Sequence, residues 1–175
     1  MREKPPAAEY ADYFARYVSL ITEPDVLPVL ERQIGEVNAF AAAVGSEREM
    51  YRYAPGKWSI RQVFGHMIDV ERVFAYRALC ISRGESSSLP SFDENKYVEH
   101  SPYDAIPLED LRTEFADLRK ANLHFLRRLD DAAWRAMGTS SSKPVSVRAL
   151  AYVMAGHVRH HFNGLLQNYK LLPKI

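Results

Sequence analysis

The sequence predicts an all-α fold, a four-helix bundle with a long crossover between its second and third helices. Three observations carry that reading. Four long segments repeat apolar residues every three or four positions, the period of a helix with one buried face. No segment shows the clear apolar–polar alternation of a half-buried strand. A long irregular stretch, 83–107, separates the second segment from the third and leaves room for a crossover.

The elements follow in chain order. Residues 1–6 are expected to be disordered, and a short helix is expected from Glu9 to Tyr17, carrying Tyr10, Tyr13, Phe14 and Tyr17. Thr22-Glu-Pro24-Asp25 has the composition of a helix start, with a capping hydroxyl and a proline in the first turn. The first long helix then runs to about Val44 on a stripe of Leu27, Leu30, Ile34, Val37 and Phe40, and Gly45 ends it. Pro55-Gly56 marks a turn in the loop that follows. The second long helix spans about 58–82, with Val63, Met67, Val70, Phe74 and Ile81 on one face and Arg61, Glu71 and Arg72 mostly off it.

The stretch 83–107 holds Phe92-Asp93-Glu94-Asn95-Lys96-Tyr97, a dense polar and aromatic set. Long irregular segments in compact domains often carry function. Phe92 and Asp93 are therefore candidate substrate contacts, against the alternative of a packed crossover with no chemistry. The third long helix runs from about Leu108 to Leu129. Asn122 lies on its apolar stripe, either bonded across the bundle or facing a site. Gly138 to Pro144 reads as a flexible polar linker, and Ser146 caps a fourth helix that extends to about Lys170.

Composition bounds the function. A chain of 175 residues, 47% hydrophobic, suits one globular domain over 1–175. Lys plus Arg is 23 and Asp plus Glu is 22, a net charge of +1, which argues against a nucleic-acid footprint. No apolar run approaches the ~20 residues of a membrane span, and no signal peptide is recognisable. One cysteine, Cys80, excludes an internal disulfide, and a cytoplasmic location is the default. Ala-Leu-Cys80-Ile reads as a small buried hydrophobe more than as a nucleophile.

The fourth helix contains Gly156-His157-Val158-Arg159-His160-His161. At 100° per residue His161 falls on its apolar face and His157 at the edge, four residues apart, so their rings stack on one side. His160 points away. Such a pair suits one metal ion. Equally, it suits core histidines whose ring nitrogens find partners. His66 stands in the same relation to the stripe of the second helix and is the candidate third ligand. Asp69 is one turn further on, within reach as a partner for a ligand histidine or as an acid or base; its alternative is an ion pair with Arg61 or Arg72. His100 is a weaker metal candidate, and His124 is off its stripe.

Lys57-Trp58-Ser59-Ile60, Gly65-His66, Asp69-Val-Glu71-Arg72 and Gly156-His157-Val-Arg-His160-His161 resemble the DinB-like superfamily, also described as DinB/YfiT-like metalloenzymes, over about residues 17–170. The resemblance implies a four-helix bundle, a metal held by His66, His157 and His161, and a homodimer. It also implies a low-molecular-weight thiol such as bacillithiol or mycothiol as a partner, since members include thiol-dependent transferases and isomerases.

Three neutral imidazoles suit Zn²⁺, Ni²⁺ or Fe²⁺ and poorly suit Mg²⁺ or Ca²⁺. Three protein ligands leave a position open for water or substrate. A zincin needs Glu after the first histidine, where this chain has Val158, and a di-iron bundle needs Glu-x-x-His pairs that neither helix supplies. The readings left standing are a thiol transferase, a metal-dependent hydrolase, and a non-catalytic bundle that binds a small molecule or a protein partner.

Overall fold

The structure is a computed structural model and describes residues 3–172. Helix α1 spans Asp12–Val18, α2 Val26–Ala42, α3 Ile60–Ser82, α4 Glu94–Glu99, α5 Leu108–Arg127, α6 Asp131–Arg135 and α7 Val147–Gln167. Helices α2, α3, α5 and α7 form a four-helix bundle. Around it the neighbours run α2, α5, α3, α7, and α1 lies against α7. The sequence and the structure agree on this architecture.

Local chemistry sets the helix starts. Ser59 and Gln62 form a reciprocal cap: Ser59 Oγ accepts from the Gln62 N–H and Gln62 Oε1 accepts from the Ser59 N–H, both at 3.0 Å. Ser146 Oγ accepts from the Ala149 N–H at 3.0 Å at the start of α7, as its sequence position predicts. At α2 the cap is Asp25, which accepts from the Leu27 N–H at 2.9 Å, and not Thr22. Asp25 is extended, and Pro28 rather than Pro24 occupies the first turn.

The structure corrects three further expectations. Residues 3–6 are placed: Pro5 is buried and Lys4 Nζ donates to the Ile21 carbonyl at 2.9 Å; residues 1 and 2 lie outside the described part. The stretch 83–107 holds α4 and a 3-10 turn at Tyr103–Ala105. The run expected as a flexible linker is an antiparallel hairpin, β1 Met137–Ser140 paired with β2 Lys143–Ser146. Its two-residue turn places Ser141 at φ 54° and Ser142 at φ 60°. Positive φ at both positions is the geometry of a tight hairpin turn, usually supplied by Asn-Gly. Two serines there, and strands of four residues, hide the signal. Leu89 hydrogen-bonds along the hairpin edge, its N–H to Thr139 O and its carbonyl from the Ser141 N–H, each at 2.9 Å.

The apolar interior divides into two clusters. On α3 the change from one to the other falls between Ile68 and Val70, and on α7 between Ala155 and Val158. A polar layer crosses the bundle near that level. Glu71, expected off the apolar face, is buried there. It accepts from Arg119 Nε at 2.7 Å and from a second Arg119 nitrogen at 2.8 Å. Gln33 completes the layer. Its Oε1 accepts from Arg119 at 3.0 Å and its Nε2 donates to the Ala155 carbonyl at 2.8 Å.

Candidate metal centre

Helices α3 and α7 pack along each other and bring His66, His157 and His161 together at the junction of the two apolar clusters. Their ligand nitrogens all lie within 4.8 Å of one another. The Nε2 atoms converge: His66 to His157 is 3.0 Å, and His161 to His157 is 3.1 Å. A ring nitrogen carries either one hydrogen or one lone pair. His157 Nε2 therefore cannot form good hydrogen bonds to both neighbours. Three lone pairs turned toward a common point meet a metal's requirement instead: tetrahedral Zn–N bonds of ~2.0–2.1 Å put ligand nitrogens about 3.3 Å apart.

Small residues make the approach feasible. A Cβ on Gly156 would overlap the carbonyl of Tyr17, so α1 can lie against α7 only because glycine precedes His157. The Tyr17 ring then meets the His157 ring edge-on at 5.4 Å between centroids. Trp58 covers His66 at 4.7 Å. Burial in these rings disfavours the charged imidazolium. It pushes the His66 pKa down to about 4, with repulsion from His160 adding to the shift. His157 and His161 are also held well below the ordinary histidine value, first by burial and then by the neighbouring imidazoles. All three are neutral at pH 7, the form that ligates metal.

The other candidates fall in different places. Asp69 accepts from the Tyr103 hydroxyl at 2.6 Å and does not serve the His66 ring, whose buried Nδ1 has no partner among the described residues. Burial raises the Asp69 pKa, with the Tyr103 bond opposing that shift. Asp93 caps α4, accepting from Asn95 and Lys96 N–H groups at 3.0 and 3.2 Å. Asn122 donates to Glu71 Oε1 at 2.9 Å and belongs to the polar layer. Phe92 lines a cavity of about 410 Å³ that also exposes His66 and His157. His100 bonds to the Lys96 carbonyl, away from the trio. A second cavity, about 550 Å³, reaches His161 between Trp58 and Tyr169.

Sequence reasoning missed several walls of the 410 Å³ cavity: Tyr17 of α1, Arg77 of α3 and Ser140 of β1. For Arg77 a signal existed. Positions 66, 70, 74 and 77 follow helical spacing, so Arg77 continues the inward face that His66 begins.

The profile of the DinB superfamily matches residues 29–164. No curated protein sequence matches the chain. Among solved structures, the fold is similar to that of YfiT from Bacillus subtilis, described as "a probable metal-dependent hydrolase with an unusual four-helix bundle topology". The TM-score is 0.76 at 15% identity, covering 97% of this chain and 95% of that one. It is also similar to a mycothiol-dependent maleylpyruvate isomerase, with a TM-score of 0.62 at 13% identity, over 78% of this chain and 57% of the other. At these identities the likeness is one of fold. Among the described residues no helix is long and apolar enough to cross a membrane.

Proposed function

The chain belongs to the DinB superfamily, and on that premise we propose that it is a metal-dependent enzyme in which His66, His157 and His161 hold one divalent transition metal. The observation that carries this is the convergence of three neutral imidazoles, with His157 Nε2 3.0 Å from His66 Nε2 and 3.1 Å from His161 Nε2, beside a cavity large enough for a small molecule. The reaction class we assign is transfer of a low-molecular-weight thiol to a small electrophile. When bound, the metal supplies Lewis acidity that ionises a coordinated thiol or water.

The protein's own residues do the rest. His66 and His157 line the 410 Å³ cavity, and His161 lines the 550 Å³ one. Tyr17 and Trp58 shield the imidazoles from water. No Asp or Glu joins the cluster among the described residues, and Asp69 is engaged by Tyr103. The site thus has no carboxylate base beside the trio to accept a proton. A thiol, with an ordinary pKa of ~8.5, ionises on a metal with far less help than water needs. Hydrolysis is the second reading, supported by the description of the YfiT relative. A cytoplasmic location, the default for a chain with one cysteine, and a homodimer, which the family resemblance implies, belong to the same proposal.

Metal content of untagged protein tests the first step: about one transition metal per chain, lost in His157→Ala, is the expected result. Wild type that holds none and takes up neither Zn²⁺ nor Ni²⁺ overturns the reading in favour of a non-catalytic bundle. Turnover of 1-chloro-2,4-dinitrobenzene only with added thiol supports transfer. Thiol-independent turnover of p-nitrophenyl acetate supports hydrolysis.

A further inference from the structure

Two arginines are buried in the described residues, Arg119 at 0% exposure and Arg77 at 3%. They differ in one respect. Arg119 is neutralised by the two-pronged bond to Glu71. Arg77 is paired with no carboxylate among the described residues. It donates to the Pro90 carbonyl at 2.7 Å and lies 5.1 Å from the centre of the Phe74 ring and 5.6 Å from that of Phe92. Aromatic faces and one carbonyl position the guanidinium, but they do not cancel a full charge, and a buried charge without a counter-ion is costly to keep. Burial accordingly lowers its pKa.

Arg77 is not sealed off. It lines the same 410 Å³ cavity as His66 and His157. A second, independent group lines it too. Ser140, 3% exposed, has a buried Oγ with no hydrogen-bond partner. Lys143 stands on the same wall, from the second strand of the hairpin. Glu94 is the one acidic side chain on the lining, half-buried at the start of α4. Between the two polar ends the wall is apolar, formed by Val70 and Phe74 of α3 and by Phe14 and Tyr17 of α1.

We propose that Arg77 and Ser140 form a carboxylate-binding subsite, so that the cavity takes an elongated organic acid. Its carboxylate sits at Arg77, its alkyl or aryl body lies along Val70 and Phe74, and its other end reaches the histidines. The length follows from the helix. Residues 66 and 77 are eleven positions apart, an axial distance of roughly 16 Å at 1.5 Å per residue, which the two side chains shorten. A guanidinium donates two parallel bonds to a carboxylate, and the serine hydroxyl supplies a third donor. The placement of the reactive end rests on the metal-enzyme reading above, but the subsite itself does not.

The test is calorimetric titration of the full-length protein, as purified, with 5-phenylpentanoate and with its neutral amide. The acid is expected to bind at least about tenfold more tightly, the usual gain from a charge-assisted contact. Arg77→Met is expected to abolish that preference while leaving the amide's affinity within about twofold, and Ser140→Ala to reduce it about threefold. Equal binding of acid and amide by wild type overturns the proposal, as does a preference that survives Arg77→Met. A preference that survives Arg77→Met but vanishes on chelation overturns it too, because the carboxylate then sits on the metal. Should Arg77→Met fail to fold, as shown by its circular dichroism melt, Arg77→Lys and Ser140→Ala decide. Preference retained in the first and weakened in the second supports the subsite; a Ser140→Ala variant unchanged from wild type overturns it. Metal content measured on the same samples separates the two readings. A preference dependent on Arg77 in protein that binds no metal leaves the subsite standing and removes the enzyme.

Discussion

Arg119 and Glu71 meet in the buried middle of the bundle through two parallel hydrogen bonds, 2.7 and 2.8 Å long. Both side chains are essentially inaccessible to solvent. Arg119 also donates to the Leu30 carbonyl at 3.1 Å and to Gln33, so one guanidinium ties α2, α3 and α5. Through Gln33 the tie continues to the backbone of α7 at Ala155, two residues before His157.

Breaking one side of that pair leaves the other as an uncompensated buried charge. Arg119→Met is therefore expected to destabilise the protein by about 3–5 kcal/mol in urea unfolding. The double variant Glu71→Leu, Arg119→Met is expected to lose less than the sum of the single changes, since no charge is then stranded. Strict additivity would show that the pair is not energetically coupled.

The metal-free protein is expected to lose stability in acid. A histidine depressed in the folded state binds protons more readily when unfolded, so stability falls as the pH drops below the ordinary value of 6.5. For His66 the window runs from 6.5 to about 4 and corresponds to about 3 kcal/mol at its acid end. His157 and His161 act in the same direction. Urea midpoints of chelated protein at pH 7.5, 6 and 5 should decrease in that order, and His66→Asn should flatten the trend. A wild-type profile independent of pH would contradict burial of the rings.

His160 and His161 are neighbours in the chain but not in role. His161→Ala is expected to weaken Zn²⁺ binding by more than the ~10–100-fold typical of losing a supporting partner. His160→Ala is expected to change it by less than about threefold, because the exposed His160 ring is not among the converging nitrogens. Competition with a chromogenic chelator gives both numbers.

Gly156→Ala is expected to cost about 1–3 kcal/mol, the usual penalty of overpacking. The added methyl would press on the Tyr17 carbonyl. A thermal melt reads the stability, and near-ultraviolet circular dichroism reads the displaced Tyr17. A variant as stable as wild type, with an unchanged aromatic spectrum, would show that α1 yields freely.

The bundle was legible because each long helix has a one-sided apolar stripe, and Ser59 and Ser146 carry their capping chemistry locally. The three histidines were legible for the same reason: polar rings on or beside an apolar face need an explanation. What lay beyond reach depends on contacts distant in sequence. Asn122 looked ambiguous because its partner, Glu71, is 51 positions away. Asp93 looked like a ligand contact, but a residue preceding a short helix has a nearer use for its carboxylate. The hairpin was hidden because its strands are four residues long and its turn uses Ser141-Ser142 in left-handed conformations that glycine or asparagine would normally announce.

That hairpin has an architectural consequence. Leu89, in the connection leaving α3, is stitched to the hairpin by backbone bonds to Thr139 and Ser141. Backbone bonds are indifferent to side-chain identity, so residues facing the cavity from 137–146 and from the Phe92 region can change without dissolving the seam. The histidines belong to helices whose packing tolerates little substitution. One part of the chain can vary the shape of the cavity wall, while the other fixes where the three imidazoles meet.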